Sequence, residues 1–405
     1  MINMAAWFPK VVRLIKKQNV YPVTYIIQNY NYSSQPRIIK NPTTASLKRG
    51  TGGRSSFNGI VCTVFGCNGF IGSNLCIRLG KIGTQLILPH RCDPYYVKEL
   101  KVGGDLGQVY FQPFDLKDEK SIIKTIKYSN VVINLIGSKY ETSNYSFEDV
   151  HVEGARRLAK LAKQCNVERF IQMSCLNVNK TPKPLLLKKG SRILKTKWEG
   201  ELAVKEEFPE ATIIRPSVVY GQGDSFINHY MHKERTVLNL HLPLWKKGEE
   251  TEKWPVYISD VVSGIVAIVR NPDTAGKTYQ FIGPKGHKLK ELVTMMLHMK
   301  NEAYEFPFEI IDLTSGWKGL YSMLKVNLRE PFYSIHPTLD LLYESLEFHH
   351  TSDNIDPSLP TLEDLGITPI EFEKLLEWNL SPHMDNVKLK KFQEVIPFNT
   401  QSILK

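Results

Sequence analysis

No aspartate or glutamate occurs in the first 92 residues of this 405-residue chain; the first acid is Asp93. Lys10, Arg13, Lys16, Lys17, Arg37, Lys40, Lys48, Arg49 and Arg54 all precede the first predicted strand. In "MINMAAWFPKVVRLIKKQNVYPVTY" the apolar Val11, Val12, Leu14 and Ile15 are mixed with Arg13, Lys16 and Lys17. That acid-free amphipathic pattern reads as a mitochondrial targeting segment over residues 1–35, followed by a basic extension over 36–57. The same cations break any continuous apolar core of a secretory signal. Cysteine is scarce as well: six residues, all in the first half and without paired metal-ligand spacing. Neither a zinc site nor a disulfide framework follows, no metal is expected, and a reducing compartment fits. Long apolar runs are missing. The longest, "VVSGIVAIV" at 261–269, is far short of the roughly 20 residues that span a bilayer, so the chain reads as soluble or peripheral. The net charge of +11 does not point to nucleic acid, because the later cations alternate with acids and form no patch interleaved with aromatics.

What is present begins near residue 58, where short apolar runs alternate with helical stretches. The runs are "GIVCTVF" (59–65), "TQLILP" (84–89), "VYFQPF" (109–114), "NVVINLIG" (130–137), "RFIQMS" (169–174) and "ATIIRPSVVYG" (211–221). Their unbroken apolar character suits strands covered on both faces. Helices are predicted over 72–83 and 147–165, the second burying Val152, Ala155, Leu158, Ala159 and Ala162. The pattern is that of an α/β fold, a Rossmann-type doubly wound parallel sheet over 58–235. Residues 236–405 read as a smaller, mostly helical C-terminal docking domain, some of whose segments return to the first.

The first strand runs straight into "GCNGFIG" and the first helix. In that context Gly66 permits a tight turn, Gly69 lets backbone approach a pyrophosphate, and Gly72 lets helix and strand pack closely. The helix N-terminus then offers unpaired N–H groups to phosphate. At the end of the second strand, "LILPHRCD" places Arg91 where an acid would bind a ribose 2′-hydroxyl. A guanidinium there suits a 2′-phosphate and favours NADP(H), although Asp93 is within reach of a ribose.

"GCNGFIG", "FDLKD", "INLIG", "FIQMS", Lys197 in "KWEGE", "IIRPSVVYG" and "PVYISDVVSGI" together resemble the extended and atypical short-chain dehydrogenase/reductase superfamily over residues 58–285. Longer phrases, among them "GKIGTQLILPHRCD", "SNVVINLIGSKYET", "FPEATIIRPS" and "LPTLEDLGITP", resemble the nucleotide-binding accessory subunits of mitochondrial respiratory complex I. The superfamily resemblance implies that Gly66, Asn68, Gly69, Phe70, Ile71 and Gly72 line the pyrophosphate and Arg91 the 2′-phosphate. It places Asp115 and Leu116 at the adenine, and Leu135, Ile136 and Gly137 behind the ribose. Pro216, Ser217 and Val218 fall on the nicotinamide side, Lys197 on the nicotinamide ribose, and Ser174 where the catalytic hydroxyls begin. The subunit resemblance implies an accessory role on the matrix side of the inner membrane, near the junction of the peripheral and membrane arms. Other complex I subunits are the partners, and peripheral membrane contact is implied with them.

One further absence carries the chemistry. An active reductase needs a tyrosine hydroxyl four residues before the lysine to give or take a proton. Here that position is Ile193, and no tyrosine occurs between Tyr145 and Tyr220, so no shift of register recovers one. Losing a general acid or base typically costs about 10² to 10⁴ in rate. The expected catalytic set is therefore empty, and NADP(H) is expected as a structural ligand. The alternative is a free mitochondrial NADP-dependent reductase or epimerase using another acid; Tyr220 is the candidate, although it reads as strand-end packing. Further on, a helix capped near Ser259 or Asp260 and another in "HKLKELVTMMLHMKNEAY" are predicted. Trp317, Tyr321 and Leu324, at helical spacing, read as core.

Overall fold

A computed structural model describes residues 48–50, 52–231, 241–304, 309–329 and 342–380. The expected targeting segment and the basic extension up to residue 47 lie outside the described residues. Strand β1 (Val61–Phe65) is followed by α1 (Phe70–Lys81), β2 (Gln85–His90), β3 (Val109–Pro113), α2 (Glu119–Ile126) and β4 (Val131–Asn134). Then come α3 (Gly154–Gln164), β5 (Arg169–Met173), α4 (Arg192–Glu207) and β6 (Thr212–Pro216). A seven-stranded sheet in the order β11-β6-β5-β4-β1-β2-β3 forms the centre, with β11 (Thr278–Phe281) at one edge. Every pairing in it is parallel. Strand order reverses between β1 and β4, which opens a crevice at their carboxyl ends.

Both faces are covered, as the apolar strands require. Cys62 and Val64 of β1 pack with Leu75 and Leu79 of α1 and with Val261 and Ile265 of a later helix. Phe65 faces the opposite layer, with Leu158 and Ala162 of α3, Val204 of α4 and Phe208 just past its end. Thr63, fully buried, is tolerated because its hydroxyl bonds the Thr125 carbonyl (3.0 Å) and Ser129 (2.6 Å). The stretch predicted as one helix over 147–165 is instead a π-helical turn, Asp149–Glu153, that leads into α3. The extra residue per turn brings His151 inward, and Val152 is only half-buried while Leu161 joins the buried face.

Beyond β6 lie β7 (Val219–Tyr220), α5 (Ser225–Met231), β8 (His241–Leu244), β9 (Glu252–Lys253), β10 (Val256–Tyr257) and α6 (Ile258–Arg270). After β11 follow β12 (His287–Lys288), α7 (Leu289–Tyr304), β13 (Glu309–Asp312), α8 (Gly316–Arg329), α9 (Tyr343–His350) and α10 (Phe372–Leu380). A second core gathers Tyr220, Phe226, Tyr230, Leu292, Met296, Phe372 and Leu376. The cap of α6 differs from expectation: Tyr257 is the N-cap, without a side-chain bond. Asp260 lies inside the first turn, where its carboxylate accepts from the Ile370 N–H (2.8 Å). The core assignment on α8 is also corrected. Trp317, Leu320, Tyr321 and Leu324 are all at least half exposed, whereas Ser322 and Val326 face inward and Val326 packs with Leu313 and Leu346. The apolar residues of this helix exceed one face, and the surplus meets solvent.

Candidate nucleotide-binding site

β1 ends one residue before Gly66, which lies against Leu135 just past β4. Gly66 has φ +81°, and a Cβ there would meet the Leu135 carbonyl carbon at 3.0 Å. Gly72 is tighter: a Cβ would fall 2.2 Å from the Gly66 oxygen, so this glycine is demanded by packing. Gly69 differs from both. A Cβ there meets nothing nearer than the Gly66 oxygen at 3.3 Å, so its space opens into the crevice. It is also the N-cap of α1 and provides no side-chain cap, leaving the first-turn N–H groups facing that opening.

Two cavities meet at this turn, sharing Gly66, Gly69, Leu135 and Lys139. One, about 490 Å³, holds Asn68, Arg91, Leu116, Ile136 and Gly137. The other, about 290 Å³, holds Phe70, Ile71, Gly72, Ser174, Lys197, Pro216, Ser217 and Val218. The fold thus brings together every residue expected at the site except Asp115. That carboxylate is not among the residues lining either cavity; it accepts from the Tyr145 hydroxyl (2.9 Å) and the Lys117 N–H (2.7 Å). These bonds hold its pKa below the ordinary carboxylate value, the Lys117 N–H being the largest favourable cause. Among the described residues, buried Ser174 has no partner for its hydroxyl and buried His90 has none for Nδ1; both line the cavities. An open backbone cradle, a free helix N-terminus and two buried polar atoms without partners fit a dinucleotide laid across the turn.

Ile193 and Lys197 share α4, one turn apart. Lys197 lines the smaller cavity, whereas Ile193 is 4% exposed and is not among its lining residues. Near them His151 accepts from the Ser138 N–H through Nε2 (3.1 Å) and bonds the Thr196 hydroxyl through Nδ1 (2.9 Å). Burial first, and the Lys197 charge second, push its pKa down to about 3, so the ring is neutral. Tyr220 is fully buried, its ring 4.8 Å from that of Phe372, and burial raises its pKa; it is a packing residue.

The far wall comes from distant sequence. Asp353, following α9, is 2% exposed and pairs with Lys253, 3% exposed, at 3.2 Å. Its carboxylate also accepts from Asn177 Nδ2 (2.9 Å), the Trp254 N–H (3.1 Å) and the Ser217 hydroxyl. Glu347, fully buried, accepts from the N–H groups of Leu185 (2.7 Å), Leu186 (2.6 Å) and Leu187 (3.1 Å). Glu344 accepts from the Arg192 N–H (3.0 Å). One late segment thus fastens the loop between β5 and α4 and closes the lysine end of the site. Sequence reasoning missed Asp353, Lys253 and His349 on this wall and Tyr145 at the other end. None lies in a local motif; the aromatic-rich 138–147 loop was the one available hint.

A parallel sheet ordered in this way, with a glycine turn at the reversal, defines a dinucleotide-binding protein of short-chain dehydrogenase/reductase type. The NAD dependent epimerase/dehydratase family matches residues 62–281. The chain is 40% identical over 329 residues to the mouse (Mus musculus) protein named NADH dehydrogenase (ubiquinone) 1 alpha subcomplex subunit 9, mitochondrial, covering 81% of this chain and 82% of that one. It is 32% identical over 368 residues to the NADH-ubiquinone oxidoreductase 40 kDa subunit, mitochondrial, of Neurospora crassa, covering 89% and 90%. In fold it is similar to a dTDP-glucose 4,6-dehydratase from Bacillus anthracis solved with NAD, with a TM-score of 0.56 at 17% identity over 83% of this chain and 98% of that one. The chain belongs to the NAD dependent epimerase/dehydratase family and, within it, to the family of these mitochondrial NADH dehydrogenase subunits.

Proposed function

We propose that this chain is a non-catalytic accessory subunit of mitochondrial complex I, on the matrix side of the inner membrane, and that it holds NADP(H) as a structural ligand. The observation that carries the reading is the extent of its similarity to subunits of that name, which covers four-fifths of both chains. The glycine turn and the N-terminus of α1 would hold the pyrophosphate, Arg91 the 2′-phosphate, and Lys197 the nicotinamide ribose. Bound NADP(H) can supply a hydride, but Ile193 offers no proton to accompany it. Binding to the folded state alone stabilises that state, by about 2.7 kcal/mol at a hundredfold excess over Kd.

The exposed Trp317, Leu320, Tyr321 and Leu324 face of α8 supports docking to neighbouring subunits near the junction of the two arms, with the membrane surface alongside. No helix among the described residues is long and apolar enough to cross a membrane. The test is native-gel migration of the endogenous protein from gently solubilised mitochondrial membranes. Co-migration with NADH dehydrogenase activity supports the subunit reading. Migration as a free monomer or small oligomer overturns it in favour of a free NADP-dependent reductase or epimerase.

A further inference from the structure

Arg91 does not stand alone at the adenosine end. Its guanidinium carbon lies 5.0 Å from the centre of the Tyr145 ring, and the Lys117 ammonium lies 4.6 Å from the same centre. A tight turn fixes the ring: the Thr142 N–H donates to the Tyr145 carbonyl (2.9 Å), and the Tyr145 N–H donates to the Thr142 hydroxyl (3.1 Å). Lys117 is tied down separately by a bond to the Asn144 carbonyl (2.7 Å). The ring itself lines the larger cavity beside Arg91 and Leu116.

The hydroxyl has a second task. Asp115 is a carboxylate just outside the lining of the larger cavity, and it shares the Tyr145 side chain with Arg91: its Oδ1 accepts from the hydroxyl while the guanidinium lies over the ring. Left free, it would compete with a 2′-phosphate for the guanidinium. Instead Oδ1 is engaged by the Tyr145 hydroxyl and the Lys117 N–H. Two cations on one ring against one bonded carboxylate leave a net positive charge around the ring that lines the adenosine cavity.

We propose that Tyr145 is the positioning residue that sets the preference for a 2′-phosphorylated nucleotide, by presenting Arg91 and Lys117 on its ring and engaging the Asp115 carboxylate with its hydroxyl. This rests on the NADP(H) reading above and names what enforces it. Arg91 supplies the charge; Tyr145 determines where that charge points and what it faces.

The test is calorimetric titration of the folded full-length chain with NADPH and NADH, and with adenosine 2′,5′-bisphosphate and 5′-AMP as fragments. Tyr145→Leu is expected to reduce the NADPH-to-NADH affinity ratio roughly tenfold, the loss falling mainly on NADPH. Tyr145→Phe keeps the ring and removes one of the two bonds to the carboxylate, so the ratio falls by a smaller factor, and adding Asp115→Asn restores it. A purely structural tyrosine would not respond to that second change. Equal losses for NADPH and NADH in Tyr145→Leu, or no restoration by Asp115→Asn, overturn the role of Tyr145. If Arg91→Ala leaves the ratio unchanged, the 2′-phosphate reading itself fails, and if the parent chain binds neither dinucleotide, the site reading fails.

Discussion

Asp353→Ala removes the acceptor on which four groups converge: the Lys253 ammonium, Asn177 Nδ2, the Trp254 N–H and the Ser217 hydroxyl. The largest cost comes from Lys253, which is 3% exposed and would remain buried without its counter-charge. Breaking a buried pair in this way costs about 3–5 kcal/mol, against a typical total stability of about 5–15 kcal/mol. The described residues fall within one compact unit, and with an unfolding entropy of about 2.1 cal/mol/K for each of roughly 300 residues the melting temperature should drop by about 5–8 °C. The assay is thermal unfolding of the purified full-length chain at pH 7, followed by circular dichroism and calorimetry. Adding Lys253→Met should recover part of the loss, because the buried charge goes with its partner while the three polar donors stay unserved. A drop of less than about 1 °C, or a double variant weaker than the single one, would refute the reasoning.

The two glycines of the turn should separate folding from binding. Gly72→Ala, whose Cβ would fall 2.2 Å from backbone oxygen, should lower the melting temperature with or without NADPH. Gly69→Ala should leave the nucleotide-free melting temperature nearly unchanged and weaken NADPH in calorimetry; equal effects at both positions would contradict this. A pH comparison follows from two buried groups pulling in opposite directions. His151, pushed down to about 3, favours the fold at higher pH, and this stability drains away as pH falls below 6.5. Asp224, pushed up to about 7 by burial, adds stability at low pH that is lost as pH rises toward 7. Between pH 6.5 and 5, His151→Gln should therefore gain about 1.5 kcal/mol relative to the parent, and Asp224→Asn should lose about 2 kcal/mol, both read by urea unfolding. Shifts of the same sign would show the assignments wrong. Finally, Ile193→Tyr should give no NADPH oxidation with small aldehydes and should cost about 1–3 kcal/mol by overpacking a buried position; multiple turnovers would count against a closed site.

The sheet and its glycine turn were legible because both are local. Continuous apolar runs of strand length specify burial on two faces, and a strand, three glycines and a helix in succession leave few alternatives. The π turn at Asp149–Glu153 was not legible, since the sequence through it keeps a good helical pattern and the bulge is settled by how His151 meets Ser138 and Thr196. Apolar spacing on α8 misled for the opposite reason: Trp317, Tyr321 and Leu324 have the period of a buried face, but periodicity cannot say which face finds a partner within the chain. At the site, residues of the crossover turns were found from their neighbours in sequence. Asp353 could not be, because its significance lies in Lys253 and Ser217, reached only through the tertiary fold.

That separation bears on how the protein is made. Ser217 waits for a carboxylate 136 residues further along the chain, and Leu185 for one 162 residues on. A chain emerging from its N-terminus can lay down the first six strands and the glycine turn, yet the lysine end of the crevice stays open until residues 344–353 arrive. Truncations ahead of Glu344 should therefore leave the lysine end of the crevice unfastened and weaken nucleotide binding. Quality control that samples nucleotide retention would in effect be checking whether residues 344–353 have been delivered.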